Sequence, residues 1–164
     1  MADIITESGL SAGAIYLQFD GKADIALGVG HRILTNRIEE VADVMASGEL
    51  PPPSALLRFM MTGLISEIRD VRMLVQLWGE AVTSDDMSHM VGPIFAKVQE
   101  IMRPYLARWA IERRGMTVDS AETWSHQLVP VMLGLGQGFI LQSALVPGFD
   151  GERYFAGVAQ LLDA

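Results

Sequence analysis

Asp85, Asp86 and His89 stand at the i, i+3 and i, i+4 spacing with which a helix gathers metal ligands. A closed site needs about four such ligands, and the other histidines, His31 and His126, lie far away in sequence. Aspartates that follow Ser84 in a turn serve better as helix caps. No metal and no cofactor is therefore expected. Gln76 and Glu80 lie one helical turn apart beside Leu77 and Trp78. An amide and a carboxylate at the edge of an apolar surface can hold the polar end of a ligand. Gly134, Gly136 and Gly138 have the look of a phosphate loop, but such a loop follows a strand and opens a helix. Here the glycines fall inside a helical pattern, where close helix–helix approach is the better reason for them.

The remaining inventory argues against catalysis. Cysteine is absent, which removes thiolate nucleophiles, disulfides and Cys-based zinc sites. No H-E-x-x-H occurs and no paired carboxylates sit inside an apolar segment, so the chain is not expected to be an enzyme. Twenty acids against 12 Lys plus Arg give a net charge of −8. Any contact with nucleic acid or anionic lipid must be local. With 50% hydrophobic residues, the 164-residue chain can bury a sizeable core. No basic segment followed by an apolar run opens the sequence. Residues 128–148 are the longest apolar stretch, interrupted by Gln137, Gln142 and Ser143. A buried helix is expected there rather than a membrane span, with a cytoplasmic location and no membrane partner.

The elements that must position these residues are helices; no segment alternates as strands do. Short helices are expected at residues 3–8 and, capped by Ser11, at 12–18. A long helix over residues 22–46 carries Ile25, Val29, Ile33, Ile38, Val41 and Met45 at amphipathic spacing. The prolines after Gly48 stop it. Further helices are expected at 53–68 and 69–83, from the Ser84-Asp85-Asp86 turn to 114, from Asp119 or Ser120 to 145, and at 151–162. Pro104 predicts a kink or break. The fold class is all-α.

Met60, Leu64, Leu77, Trp78, Phe95, Met102, Tyr105 and Trp109 fall on the apolar faces of these helices. Methionine repacks around varied shapes, so the set is a candidate pocket lining, with Gln76 or Glu80 as its polar handle. The plain alternative for each residue is core packing. A matching effector would be small and mostly apolar, neutral or cationic.

The most specific signal is the run Ser8-Gly9-Leu10-Ser11-x-Gly13-x-Ile15-Tyr16-x-x-Phe19-x-x-Lys22-x-x-Ile25. Two short helices about a Gly9 turn form a helix-turn-helix. Small residues at the second helix let its backbone approach a groove, and free N–H groups there favour phosphate. This run resembles the helix-turn-helix signature of the TetR family of bacterial transcriptional regulators, and covers about one seventh of the chain. The resemblance implies a recognition helix from Ser11 to Gln18 in the major groove of an operator duplex. It implies phosphate contacts by Tyr16 and Lys22, and a groove-facing set of Ala12, Gly13, Ala14, Leu17 and Gln18. Of these, Gln18 alone can read a base edge. Family members carry a helix before the positioning helix, whereas this sequence opens at the positioning helix. Residues 1–24 hold Asp3, Glu7, Asp20 and Asp24 against Lys22. The expectation is a partial helix-turn-helix head over 1–24 and a ligand-binding and dimerisation domain over 25–164. The function expected is that of a ligand-responsive repressor. The alternative is a helical ligand-binding or adaptor module that does not bind DNA.

Residues 128–146 are apolar around too much of the helix for one buried face. Leu128, Val131, Leu135, Phe139 and Gln142 form one stripe; Val129, Met132, Gly136, Ile140 and Ser143 form another. One stripe can pack on the chain's own core and the other on a second copy. The expected homodimer interface comprises Leu128, Val131, Met132, Leu135, Phe139, Tyr154, Val158 and Leu161.

Overall fold

The structure, a computed structural model, describes residues 11–19, 21, 24, 25, 28, 32, 35, 36, 39–43, 47–68 and 70–164. Among these residues the regular structure is helical, without a strand. The elements are α1 (Ala12–Gln18), α2 (Pro53–Glu67), α3 (Arg72–Thr83), α4 (Asp85–Arg114), α5 (Val118–Leu145) and α6 (Gly151–Leu162). Every described residue from 24 to 43 is helical as well. The expected helix at residues 3–8 lies outside the described residues.

Local chemistry explains the boundaries. Ser11 Oγ accepts the Ala14 N–H at 3.2 Å, so α1 begins with the serine cap that its sequence suggests. Pro53 opens α2, where its missing N–H costs nothing. Residue 54 then receives a cap from far along the chain: the Asp163 carboxylate accepts the Ser54 N–H at 3.1 Å and the Ser54 hydroxyl. A carboxylate at a helix N-terminus satisfies orphan donors and complements the helix dipole. Helix α3 starts at Arg72, later than expected. Asp70 Oδ1 accepts the Arg72 N–H at 3.0 Å and pairs with its guanidinium, which holds residue 70 outside the helix. These bonds lower the Asp70 carboxyl below its usual range.

Ser84 alone separates α3 from α4, so Asp85 and Asp86 belong to the helix rather than to a turn. Helix α4 runs unbroken through Pro93 and Pro104, so of the kink or break expected at Pro104 the break does not occur. Gly115 ends α4 at φ +65°. The Gly115 N–H returns to the Ile111 carbonyl at 3.2 Å, the bond of an αL cap, and the Met116 N–H reaches the Ala110 carbonyl at 3.2 Å. The N-cap of α5 is Thr117, whose side chain accepts the Ser120 N–H; the helix starts at Val118, one or two residues before the expected start at Asp119 or Ser120.

Helix α5 is the centre of the bundle and packs on α2, α3, α4 and α6. Its inward face is Ala121, Ser125, Val129, Met132, Gly136, Phe139 and Ile140. This helix is long and apolar enough to cross a membrane by composition, with a mean hydropathy of 1.5 in its most apolar window, and this face joins the bundle core. Val41 and Leu50 extend that core toward the N-terminal side. At one end of the bundle the Trp109 and Trp124 rings stack at 6.0 Å. The Arg114 guanidinium lies 5.0 Å and 4.9 Å from their centroids and donates to the Leu162 and Ala164 carbonyls. That clamp ties α4 and α5 to the end of α6.

Candidate ligand cavity

Four helices each turn one face toward a common space. Leu57, Met60, Met61 and Leu64 come from α2 at i, i+3, i+4 and i+7. Leu74, Leu77 and Trp78 come from α3, and Val91, Ile94, Phe95, Val98 and Met102 from α4. Helix α5 contributes Met132, Leu133, Gly136, Gln137 and Ile140. All are helical face spacings, so secondary structure alone aims these side chains inward. Between them is a cavity of about 100 Å³. Its wall is apolar apart from the Gln137 amide. An apolar space of this size accepts a small apolar body; an engineered apolar cavity of ~150 Å³ takes up benzene.

A second, more open hollow of about 340 Å³ adjoins the first. Trp78, Val91, Phe95 and Gln137 border both. Ala81, Val82, Asp85, Ser88 and Gly92 complete the outer wall. The inner space is therefore apolar and the less open of the two, and the outer one is partly polar.

The sequence candidates divide. Met60, Leu64, Leu77, Trp78, Phe95 and Met102 line the cavity. Tyr105 and Trp109 do not. Tyr105 is fully buried one turn below and donates its hydroxyl to the Pro51 carbonyl; burial pushes its phenol up to about 12. Trp109 is held in the Arg114 clamp. Gln76 and Glu80 are exposed and border neither space, because the face of α3 opposite Leu77 points to solvent. The polar group at the wall is Gln137, on another helix. Its signal was present in the sequence as one of two amides, with Gln142, inside the apolar run of α5.

The three glycines of α5 differ in surroundings. A Cβ on Gly136 would meet Met61 Sδ at 3.1 Å, so this glycine admits α2 against α5. One on Gly138 would meet the Tyr154 hydroxyl at 3.2 Å. Tyr154 donates that hydroxyl to the Leu135 carbonyl at 2.7 Å, and burial raises its pKa. Gly134 has open space around it.

Of the expected dimer residues, Met132, Phe139 and Val158 are buried within the chain's own core, which removes them from an outward face. Phe139 is the hub of an aromatic cluster, 4.6 Å from Phe155 and 5.4 Å from Tyr154 between ring centroids. Leu128, Leu135 and Tyr154 are half-buried. Val131 and Leu161 are 53% and 72% exposed. Pro130, Gly134, Leu141 and Leu145 share the outward side of α5 with Val131.

Of the DNA-contact candidates, Ser11 ahead of α1 and the groove-facing Ala12, Gly13, Ala14 and Leu17 within it are exposed, Leu17 by 88%. The side chains of Tyr16 and Gln18, and Lys22 altogether, lie outside the described residues. Residues 9–13, Gly-Leu-Ser-Ala-Gly, also spell the G-x-S-x-G of a nucleophile elbow. An elbow serine stands free on a strand-to-helix turn, whereas Ser11 Oγ is engaged as the cap of α1. Among the described residues no cluster of three potential metal ligands occurs. His89 Nδ1 donates to the Asp85 carbonyl one turn back. Comparison with protein-family models, curated proteins and solved structures gives no match to this chain.

Proposed function

We propose that this chain is a ligand-responsive DNA-binding regulator of the TetR type, a repressor that works as a homodimer. The observation that carries this reading is α1. It is a short, serine-capped helix whose exposed residues include Ala12, Gly13, Ala14 and Leu17, four of the positions that the motif sends into the groove. An apolar cavity enclosed by α2 to α5 supplies the second half, a place for a small effector. Val131, Leu141 and Leu145 on the outward side of α5, and Leu161 of α6, are exposed apolar residues of the kind that a two-fold contact between copies covers. In such a dimer two recognition helices meet successive major grooves ~34 Å apart. A ligand releases the duplex to the extent that it prefers an arrangement of a different span.

Selection from a random duplex library tests the reading. Enrichment of a two-half-site sequence, bound more weakly as salt rises, is the expected result. Tyr16→Phe and Lys22→Ala then weaken binding to every sequence, and Lys22→Ala flattens the salt slope by about one unit. Gln18→Ala relaxes the preference at one position. Sedimentation at micromolar concentration should give a dimer that Val131→Glu combined with Leu161→Glu converts to a monomer. A wild-type monomer, or a library without enrichment, leaves the other reading: a helical ligand-binding or adaptor module. The four acids against one lysine in residues 1–24 favour that outcome.

A further inference from the structure

The two adjoining spaces suggest what kind of molecule occupies them. A ligand confined to the inner cavity would need no polar group, yet Gln137 stands where the inner wall meets the outer. Gln137 is exposed there, so its amide is open to solvent and can exchange a water for the hydrogen-bonding group of a ligand. Beyond it, the outer hollow carries Ser88 and Asp85. Among the described residues that line either space, Asp85 is the one ionisable group. Trp78 and Phe95 border the same junction, and aromatic rings attract cations rather than anions.

We infer that the site takes a small amphiphile lying across both spaces: a ring or short alkyl body in the inner cavity, a hydrogen-bonding group at Gln137, and a cationic or neutral head beside Asp85. Anionic heads are disfavoured. This rests on the reading of the cavity as a ligand site and adds the chemistry of the ligand. The volume of the inner space, about 100 Å³, sets its body at about the size of one benzene ring. A short linker then carries the head past Gln137 into the outer hollow.

A matched series of probes decides it: 4-phenylbutylamine, 4-phenylbutan-1-ol, 4-phenylbutanoate and butylbenzene. Binding is read from the methyl carbon signals of the methionines, four of which (Met60, Met61, Met102 and Met132) line the cavity. The amine should bind about two- to five-fold more tightly than the alcohol, the scale of a partly exposed ion pair, and the butanoate more weakly than either. Asp85→Asn should bring the three together. Gln137→Leu should weaken the alcohol about five- to tenfold, the value of one hydrogen bond, and leave butylbenzene unchanged. Butanoate binding as tightly as the amine, or a rank order that Asp85→Asn does not alter, overturns the amphiphile assignment and leaves the cavity a binding site. Methyl signals that move with none of the four probes overturn the cavity reading itself, and this inference with it.

Discussion

Along α4, Val91, Phe95, Val98 and Met102 border open space, whereas Tyr105, Leu106 and Trp109, one and two turns further on, are packed shut. The helical period does not change between the two halves. What changes is the polar company. Below Met102, the Tyr105 hydroxyl is fixed to the Pro51 carbonyl, and Trp109 is fixed by Trp124 and Arg114. Those bonds specify one arrangement and draw α4, α5 and the end of α6 together. Above Met102, among the described residues, no such fastening holds the wall, which is built mainly of methionine, leucine, isoleucine and valine with two aromatic rings. Apolar contacts are non-directional, so this half can stay open and adapt to an occupant.

Trp109→Ala should break the comparison most strongly. It empties a packed site and strips Arg114 of one ring, so a loss of ~3–5 kcal/mol is expected. Trp78→Ala, in the half-buried wall of an existing space, should cost no more than about 1–2 kcal/mol. Urea denaturation of both variants checks the difference. Equal losses would mean that the upper half is as tightly built as the lower.

Tyr105→Phe is smaller in effect and has a pH signature. It leaves the Pro51 carbonyl without its donor, which costs about 1–3 kcal/mol at neutral pH. In the native chain the Tyr105 phenol is pushed up to about 12 by burial, against about 10 in an unfolded chain. The unfolded state therefore loses its proton first as pH rises. Stability is fully present below pH 10 and falls progressively between about 10 and 12. Tyr154 adds to the same fall, since its phenol is raised too. The variant should lose only the Tyr105 share. Unfolding curves between pH 9 and 12 that run parallel for the two proteins would remove this account.

Much of this architecture was legible in the sequence, and the failures have a common cause. The bounds of α1 and α6, the proline start of α2 and the glycine stop of α4 follow from local chemistry, and each stands where the residues put it. Six of the eight apolar cavity candidates line the space because helical spacing suffices to aim them. Tyr105 and Trp109 share that spacing. What withdraws them are partners at Pro51, Arg114 and Trp124, and a one-dimensional pattern does not reveal which residues of other helices come near. The same holds for Ser54, whose cap lies 109 residues away, and for the polar handle, which sits on α5 rather than on α3. On α5 both apolar stripes were visible. The dimer assignment failed on this helix at Met132, which joins the core, and at Phe139, which the aromatic cluster with Phe149, Tyr154 and Phe155 turns inward.

The glycines of α5 give the finest test, because one substitution asks three different questions. Alanine in place of a helix-interior glycine gains ~1 kcal/mol of helix propensity, and the surroundings decide what remains of it. At Gly134 nothing lies within 4 Å of the new methyl. Gly134→Ala should therefore keep the full gain and leave probe binding unchanged. At Gly136 the methyl meets Met61 Sδ at 3.1 Å, Met61 Cε at 3.4 Å and Leu57 Cδ1 at 3.5 Å. A thioether is the flexible end of its side chain and can swing away, and Met61 borders the cavity, which offers it room. Gly136→Ala should therefore change stability by less than about 1 kcal/mol, the propensity gain offsetting the repacking. Affinity for an apolar probe such as butylbenzene should nevertheless fall several-fold, because space is lost from a volume of only about 100 Å³. At Gly138 the obstacle is a hydroxyl fixed to the Leu135 carbonyl. Relief there means giving up that hydrogen bond, which erases the gain, and the cavity is untouched. Urea midpoints and probe titrations on the three variants separate these cases. A Gly136→Ala protein that binds butylbenzene as well as the native chain would show that the upper half of the bundle yields more than its packing implies.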